Sequence, residues 1–333
     1  MTINIALVTS GAVVFGCDSI SSETDYFLRP LDYVVKDEGG NFVFDEDGRV
    51  TAKFSLDRLQ NVVTNSFGGV TKMFSISHGG VEAAAVTSGL ATIGGKTISA
   101  LADEYCAQDP AAETLAQVAE DFLAFMRRKY GEVIPLEYQY VPEIEFLIGG
   151  YESASPFSGL YRIRVRENTC VPVYVKGNTG VGWSGQSDGV ERLIFGIDGQ
   201  LRSQIMLAVN ETLDKFQRES NENFARILRE LMAAADLNEI PEGVNTDLVA
   251  KPAFVLATGS FQLDIDYANL PLQDAVDFVS YLVNLQSGRA KFARGVATVG
   301  GRTHIGVVTR SNRLRMLSEP ELVHRNVGFG NDQ

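Results

Sequence analysis

The sequence predicts an α+β protein, a four-layer αββα sandwich in which two antiparallel sheets stack face to face between outer layers of helices. The first observation is the order of patterns along the 333 residues, which runs strands, two helices, strands, helices, strands. The second is that many predicted strands are apolar at nearly every position, as is typical of sheets covered on both faces. No repeat of fixed period is present, which argues against a solenoid.

The first predicted strands form a hairpin. TINIALVTS and AVVFGCDS are β-rich runs that meet at Ser10 and Gly11. The more polar segment 19–69 follows, and its KDEGGN and DEDGR turns predict one or two inserted hairpins and a loop. VTKMFSIS and VEAAAVTSG predict the next strand pair, with its turn at 78–80.

After Gly89 the pattern becomes helical. TIGGKTISALADEYCAQ and AAETLAQVAEDFLAFMRRKYGE predict two helices. The second carries an apolar stripe formed by Leu115, Val118, Phe122, Leu123 and Met126. The runs EIEFLIGGY, SGLYRIRV and CVPVYVKG then return to the strand pattern.

The C-terminal half repeats this alternation. Residues 190–237 have a helical composition, interrupted near Gly196 and Gly199, and LQDAVDFVSYLVNLQSG predicts a further amphipathic helix. Strands are predicted for PAFVLATGSFQLDID, VATVGG, THIGVVTR and LRML. We expect one domain over 1–318, with insertions at about 20–69 and 195–264, and a loop-like tail over 319–333.

Composition excludes several classes of function. A net charge of −13 would repel nucleic acid and anionic lipid, so neither is an expected partner. No apolar run reaches membrane-spanning length, and the amino terminus lacks the pattern of a signal peptide. The three cysteines, without CxxC spacing, are typical of a reducing compartment, so we expect a cytoplasmic protein.

No cofactor or metal is predicted. The three histidines, at positions 78, 304 and 324, lack metal-ligand spacing from one another and from cysteine. The sequence contains no P-loop, GxSxG elbow, HExxH motif or glycine-rich dinucleotide fingerprint in the required context.

Thr2 is the one candidate nucleophile with its own base. Initiator methionine is usually removed before a small residue, and removal of Met1 would give Thr2 a free α-amine. That amine has an ordinary pKa of about 7.7–8.0 and can act as a base toward the Thr2 hydroxyl at neutral pH. Thr2 could equally be an ordinary polar start to a strand.

Three motifs together resemble the proteasome β-subunit pattern of the N-terminal nucleophile hydrolases, of the bacterial type. They are the run from Thr2 to Asp18, TKMFSI around Lys72, and TSG ending at Gly89. FLIGGYES, SGLYRI, GWSGQSDG and LPLQDAVDFVSYL follow in family order with weaker similarity.

The resemblance implies a role for five residues. Thr2 would be the nucleophile, Lys72 the cation that tunes it, and Asp18 the carboxylate that holds Lys72. Gly89 would donate its N–H to the oxyanion, and Ser184 would lie close to the terminal amine. In their simpler interpretations, Asp18 and Ser184 are turn residues, Lys72 is a surface lysine and Gly89 is a helix-entry glycine.

The chain also departs from the family pattern. Trp183 stands where a glycine precedes the family's serine, and Val296 and Val299 stand where an Asp and a Ser are expected. Either Asp188 or another carboxylate substitutes, or the site is incomplete.

The function implied by the resemblance is a threonine-type hydrolase that cleaves peptide bonds in peptides or unfolded proteins. It would assemble as a ring-like homo-oligomer, with an ATP-dependent unfoldase as a further partner. The first alternative is a catalytically inactive structural or binding subunit. The second is an amidase or peptide ligase with a narrow substrate range, because the insertions would reshape the cleft.

Overall fold

The computed structural model describes residues 2–27, 33–53, 60–108, 112–135, 143–235, 250–256, 262–294 and 296–318. In these ranges the strands are β1 (Ile3–Val8), β2 (Val13–Cys17), β3 (Ser21–Phe27), β4 (Gln60–Phe67), β5 (Met73–Ser75), β6 (Val81–Ser88), β7 (Thr92–Ile93), β8 (Lys96–Thr97), β9 (Glu145–Glu152), β10 (Ser158–Arg164), β11 (Thr169–Tyr174), β12 (Gly180–Gly185), β13 (His304–Thr309) and β14 (Asn312–Ser318). The helices in the same ranges are α1 (Ile98–Cys106), α2 (Leu115–Gly131), α3 (Asp188–Phe195), α4 (Gly199–Ala234) and α5 (Leu272–Phe292).

Within the described residues, ten strands form two five-stranded antiparallel sheets. The first sheet has the order β12-β1-β2-β13-β14, and the second has the order β11-β10-β9-β6-β5. Two smaller antiparallel pairs are β3 with β4 and β7 with β8. The α+β class with antiparallel sheets is therefore confirmed.

The central hairpin of the first sheet is buried on both faces, as its continuous apolar sequence predicts. Ala6 and Phe15 join a buried cluster with Leu147 of the second sheet. On the opposite face α5 packs close to β2, because a Cβ at Gly16 would lie only 2.4 Å from Val279 Cγ1. The complete four-layer order stays a prediction.

Helix α2 packs on the second sheet through the predicted apolar stripe, whose five members are buried together with Phe146 of β9. The helix begins with a capping box in which Gln117 N–H donates to Thr114 Oγ1 and Thr114 N–H donates to Gln117 Oε1. The α2 prediction is therefore confirmed.

The predicted helix at 92–108 begins later than expected. Residues 92–97 form the two short strands β7 and β8. Gly94 and Gly95 have φ of 57° and 79°, which a right-handed helix does not accommodate. Helix α1 starts only after Thr97, whose hydroxyl accepts from the Ala100 N–H.

Two strand predictions in the C-terminal half are wrong where the structure describes the residues. Residues 296–303 are not a strand, and Gly301 has a φ of 78°, which turns the chain before β13 begins. Residues 252–256 and 262–266 contain no strand either, and 257–261 lie outside the described residues.

Residues Asp188–Ile265 form a compact unit of their own, while Met1–Ser187 and Asp266–Gln333 form the other. In the smaller unit the predicted break is confirmed, because Gly196 has a φ of 72° and Asp198 caps α4 by accepting from the Leu201 N–H. This unit spans the second expected insertion. The single domain over 1–318 stays a prediction, and the tail at 319–333 lies outside the described residues.

The first expected insertion contains the predicted hairpin turns. Gly40 N–H donates to Asp37 O, and Gly48 N–H donates to Asp45 O, each at 3.0 Å. β3 and β4 pair before and after this segment. Across the described part of the chain, no helix is long and apolar enough to cross a membrane.

Candidate active site

Thr2 lies immediately before β1, at a point where three strand ends meet. β1 runs between β12 and β2, so the first residue of the strand has neighbours on both sides. On one side the Gln186 N–H donates to Thr2 O at 2.7 Å. On the other side the Ile3 N–H donates to Asp18 Oδ1 at 3.1 Å. Thr2 is buried as a result.

The Thr2 hydroxyl is in contact with both members of a buried ion pair. Lys72 Nζ lies 2.6 Å from Thr2 Oγ1 and 2.7 Å from Asp18 Oδ1. The Thr2 hydroxyl in turn donates to Asp18 Oδ1. The Lys72 and Asp18 side chains are only 7% and 1% exposed. A buried charge is costly unless it is paired and hydrogen-bonded, and here each charge has the other as its partner.

The backbone satisfies the remaining hydrogen-bonding capacity of this ion pair. Asp18 Oδ2 accepts from the Ile20 N–H at 3.2 Å and from the Gly300 N–H at 3.0 Å. Lys72 Nζ also donates to Ile20 O. The carboxylate and the ammonium are therefore held from several directions, which fixes their positions relative to the Thr2 hydroxyl.

Ser184 lies at the end of β12 and is also buried. Its Oγ accepts from Asn4 Nδ2 at 3.0 Å and from Ser88 Oγ at 3.3 Å. Ser88 is the last residue of β6, so this hydrogen-bonded group links the first sheet to the second. Asn4 and Ser88 were not singled out in the sequence, although Asn4 is the one polar residue inside the apolar run INIALV.

Gly89 directly follows Ser88. Its φ is 103°, and a Cβ at this position would lie 1.9 Å from Glu143 O. Both the backbone conformation and the space around it require glycine.

Gly185 is a second position beside Thr2 that requires glycine, and it was not among the residues predicted from the sequence. It has a φ of 83°, and a Cβ would lie 2.1 Å from Thr2 O. Only glycine therefore lets the end of β12 approach Thr2 this closely. Its position directly after Ser184 in WSGQS was the available signal.

The segment 296–300 reaches the site through a hydroxyl and a backbone amide. Val296 is 59% exposed, whereas Val299 is buried. Thr298 Oγ1 donates to Gln186 Oε1 at 3.1 Å, and the Gly300 N–H donates to Asp18. Asp188, the substitute considered above, is the first residue of α3 in the other compact unit.

Cys17 is not a competing nucleophile. Burial raises the pKa of its thiol to about 12, with a smaller raising effect from Asp18 and an opposing effect from Lys72. The thiolate is the reactive form, so Cys17 is inert at neutral pH. No group of three or more His, Cys, Asp or Glu side chains that could hold a metal is found among the residues described.

Of the five residues expected at the site, the structure brings Thr2, Asp18 and Lys72 into direct contact. Ser184 and Gly89 are linked to each other through Ser88. The chemistry available here is that of a buried hydroxyl between an ammonium and a carboxylate.

Comparisons with known proteins give a distant structural likeness. No protein-family model matches the chain, and no curated protein matches it either. It is similar to the solved structure of a Gly-1 mutant of Anbu from Hyphomicrobium sp. strain MC1, with a TM-score of 0.47 and 11% identity over 96% of this chain and 87% of that one. A second Anbu structure from the same strain gives a TM-score of 0.44 and 11% identity over 95% and 87%. At TM-scores below 0.5, neither likeness establishes a shared fold or function.

Proposed function

We propose that this chain is an N-terminal nucleophile hydrolase that cleaves amide bonds with Thr2, after removal of Met1. The observation that carries the proposal is the Thr2 hydroxyl, buried and hydrogen-bonded to both Lys72 and Asp18. A threonine hydroxyl is a weak nucleophile in water. A neighbouring cation stabilises the negative charge that develops on Oγ1 during attack, and burial strengthens that effect.

In the proposed reaction, Thr2 Oγ1 attacks the carbonyl carbon of an amide. The Thr2 amine accepts the hydroxyl proton, directly or through water, and passes it to the nitrogen that leaves as the C–N bond breaks. The product is an ester on Thr2. A water molecule, activated by the same amine, hydrolyses this ester to a carboxylic acid and restores Thr2.

The other expected residues have supporting roles in this scheme. Asp18 holds Lys72 beside Oγ1, and the Gly89 N–H donates to the oxyanion of the tetrahedral intermediates. We assign Ser184 a position close to the amine. Neither Val296 nor Val299 supplies a carboxylate, so this scheme assigns no carboxylate from the segment 296–300 to the amine.

The proposal extends to fold and assembly. We propose a four-layer αββα sandwich that assembles into a ring-like homo-oligomer in the cytoplasm and receives unfolded chains from an ATP-dependent unfoldase. Sedimentation velocity of the purified protein tests the assembly. A single species with the mass of one chain across micromolar concentrations would contradict it.

The alternative of an inactive structural subunit is favoured by the two valines in the segment 296–300. One experiment separates it from the hydrolase. The intact mass of the purified protein shows whether Met1 is present. Retention of Met1 on every molecule excludes the Thr2 amine as the base and favours the inactive subunit.

Protein that lacks Met1 is then treated with a β-lactone that acylates terminal threonines. We expect one acyl group on the wild type, on Thr2 by peptide mapping, and none on Thr2→Ala. Thr212→Ala, which changes an exposed threonine of α4, is the matched control and should react like the wild type. Equal acylation of Thr2→Ala and the wild type would refute the nucleophile assignment.

A further inference from the structure

Beside the Thr2 hydroxyl, the structure contains a second buried polar group, formed by Asn4, Ser88 and Ser184. These three residues come from β1, β6 and β12, and all are buried, with Asn4 completely inaccessible. Polar side chains in an otherwise apolar sheet interior cost free energy unless their hydrogen bonds are made. The group therefore needs an explanation beyond packing.

The hydrogen bonds of this group determine whether the Ser184 hydroxyl can donate or accept a further hydrogen bond. A serine hydroxyl has one proton to donate and two lone pairs that accept. Asn4 Nδ2 donates to one lone pair of Ser184 Oγ at 3.0 Å, and Ser88 Oγ donates to the other at 3.3 Å. Within the described residues, the Ser184 proton has no acceptor. Ser184 Oγ is thus a donor with no capacity left to accept.

Asn4 gains little for itself from this arrangement. Its Oδ1 atom is buried and has no hydrogen-bond partner in the described part of the chain. An unpaired buried acceptor is unfavourable by about 1–3 kcal/mol. A leucine would fill the same space in the apolar strand without that penalty, so the amide is better explained by what it does to Ser184.

The strand register places Ser184 next to Thr2. Asn4 is directly opposite Ser184, and Ile3 is opposite Gly185. Alternate residues of a strand share a face, so the side chains of Thr2, Asn4 and Ser184 lie on one face of the first sheet. Ser184 is the diagonal neighbour of Thr2 across the β1–β12 pair, at the separation of about 7–8 Å that is typical of diagonal pairs.

We propose that Asn4 and Ser88 are positioning residues that hold the Ser184 hydroxyl as a hydrogen-bond donor to the Thr2 amine. The proposal rests on the hydrolase function proposed above, in which Met1 is removed and the amine is the base. A neutral amine has a lone pair that accepts the Ser184 proton. An ammonium has none, so a donor-only Ser184 favours the base form over the protonated form.

Loss of either positioning residue reverses this preference. Ser184 Oγ then has a free lone pair and can accept a hydrogen bond from the ammonium. The protonated amine is stabilised, and a higher pH is needed to obtain the base. We therefore expect the acid limb of the pH–rate profile to move upward by about half to one pH unit, as one exchanged hydrogen bond allows.

Charged and titratable groups around the amine come from several strands. Asp18 and Lys72 contact Thr2, Cys17 lies on β2 opposite Asn4, and His304 lies on β13 opposite Cys17. On β9, Glu145 pairs with Ser88 in register and forms ion pairs with two arginines. None of these groups is substituted in the variants below. A difference between the pH–rate profiles of two variants is therefore caused by the hydrogen bond that was changed.

The test is the rate of Thr2 acylation by the β-lactone from pH 5 to 9.5, followed by intact mass on Met1-free protein. Ser88→Ala and Asn4→Leu should each move the acid limb upward and approach the wild-type rate above pH 9. Ser88→Thr retains the hydroxyl and should retain the wild-type midpoint. Ser158→Ala, which changes a buried serine that donates to Thr9 O, is the control for loss of a buried hydroxyl.

If one substitution disturbs folding, a comparison of double variants still tests the proposal. In a Ser184→Ala background, Ser88→Ala should leave the midpoint where it is, because the group that Ser88 orients is gone. A further shift in that background would overturn the proposal. So would a rate loss in Ser88→Ala and Asn4→Leu that is the same at every pH, since this is the signature of a purely structural role.

The outcomes also separate this inference from the proposed function. If wild-type Thr2 is not acylated at any pH, the hydrolase proposal fails. If wild-type Thr2 is acylated and the midpoints of Ser88→Ala and Asn4→Leu equal that of the wild type, the hydrolase proposal stands and the positioning role is refuted.

Discussion

Lys72 Nζ lies 2.6 Å from Thr2 Oγ1, although 70 positions separate the two residues in the sequence. The contact places the positive charge of the ammonium next to the hydroxyl oxygen in a buried environment. The same ammonium lies 2.7 Å from Asp18, so the three groups form one unit whose parts depend on one another.

Because Asp18 and Lys72 neutralise each other in a buried environment, removal of the Lys72 charge should lower the stability of the fold. Lys72→Met should destabilise the fold by about 3–5 kcal/mol, because it leaves the Asp18 carboxylate buried without its cation. Lys96→Met, at an exposed lysine paired with Glu104, should change stability by less than about 1 kcal/mol. Urea unfolding measures both.

Asp18→Asn in the Lys72→Met background should restore part of the lost stability, since the unpaired charge is removed. Non-additivity of the two substitutions is the expected sign of coupling. Equal effects of Lys72→Met and Lys96→Met would show that the ion pair contributes nothing.

Gly185→Ala should impair the site more than the fold. Its φ of 83° is unfavourable for alanine, and the added Cβ would press on the Thr2 carbonyl. A shift of about 1 Å at a reacting group can lower a rate about 100-fold. The rate of Thr2 acylation measures this loss.

Gly95→Ala is the matched control, because Gly95 has a φ of 79° but open space around its Cβ position. It should cost about 1–2 kcal/mol of stability from backbone strain alone and retain the acylation rate. A retained rate in Gly185→Ala would mean that the approach of β12 to Thr2 has no functional importance.

The buried thiol of Cys17 should make the folded state less stable at alkaline pH. Its thiol pKa is raised from 9.0 to about 12 by burial, so the folded state holds a proton that the unfolded state releases. This contribution is complete below pH 9 and is lost as pH rises toward 12, at up to about 1.4 kcal/mol per pH unit.

Cys17→Ala removes the titrating group, so its unfolding free energy should fall less steeply between pH 9 and 11 than that of the wild type. The cavity left by the sulfur lowers stability by the same amount at every pH and does not affect this slope. Parallel curves for the two proteins would contradict the assignment.

Thr298→Val tests the link between the segment 296–300 and β12. The substitution keeps the shape of the side chain and removes the donor to Gln186 Oε1, which should cost about 1 kcal/mol of stability. Because Gln186 also donates to Thr2 O, we expect slower acylation of Thr2 as well. Acylation at the wild-type rate would show that the Thr298 hydroxyl is not part of the support for Thr2.

Local patterns predicted part of this site, and long-range pairing determined the rest. The hairpin of β1 and β2 brings Thr2 near Asp18 because its strands are short and joined by a tight turn. No local pattern indicated that β12 would pair with β1 in the register that places Gly185 against Thr2, since that register depends on strands about 180 residues apart. Lys72 was predicted only from the resemblance to a known family. The sequence around it does not indicate that it would contact Thr2 and Asp18.

The errors in the fold have a similar origin. In TIGGKTIS the apolar spacing favours a helix, but the glycine pair adopts positive φ and forms a turn between two short strands instead. In VATVGG the alternation favours a strand, yet the backbone of Gly300 is used to bind Asp18 and Ser19. In both cases paired glycines were the local signal that the regular pattern would be broken.

The hydrogen bond from the Gly300 N–H to Asp18 joins residues 282 positions apart, and it has a consequence for the order of events during synthesis. At about 5–20 residues per second, a ribosome adds Gly300 about 15–55 s after Asp18. Throughout that interval β2 lacks its neighbour β13, and Asp18 lacks one of its donors. The set of hydrogen bonds around Asp18 is therefore completed only when the last quarter of the chain has emerged and folded.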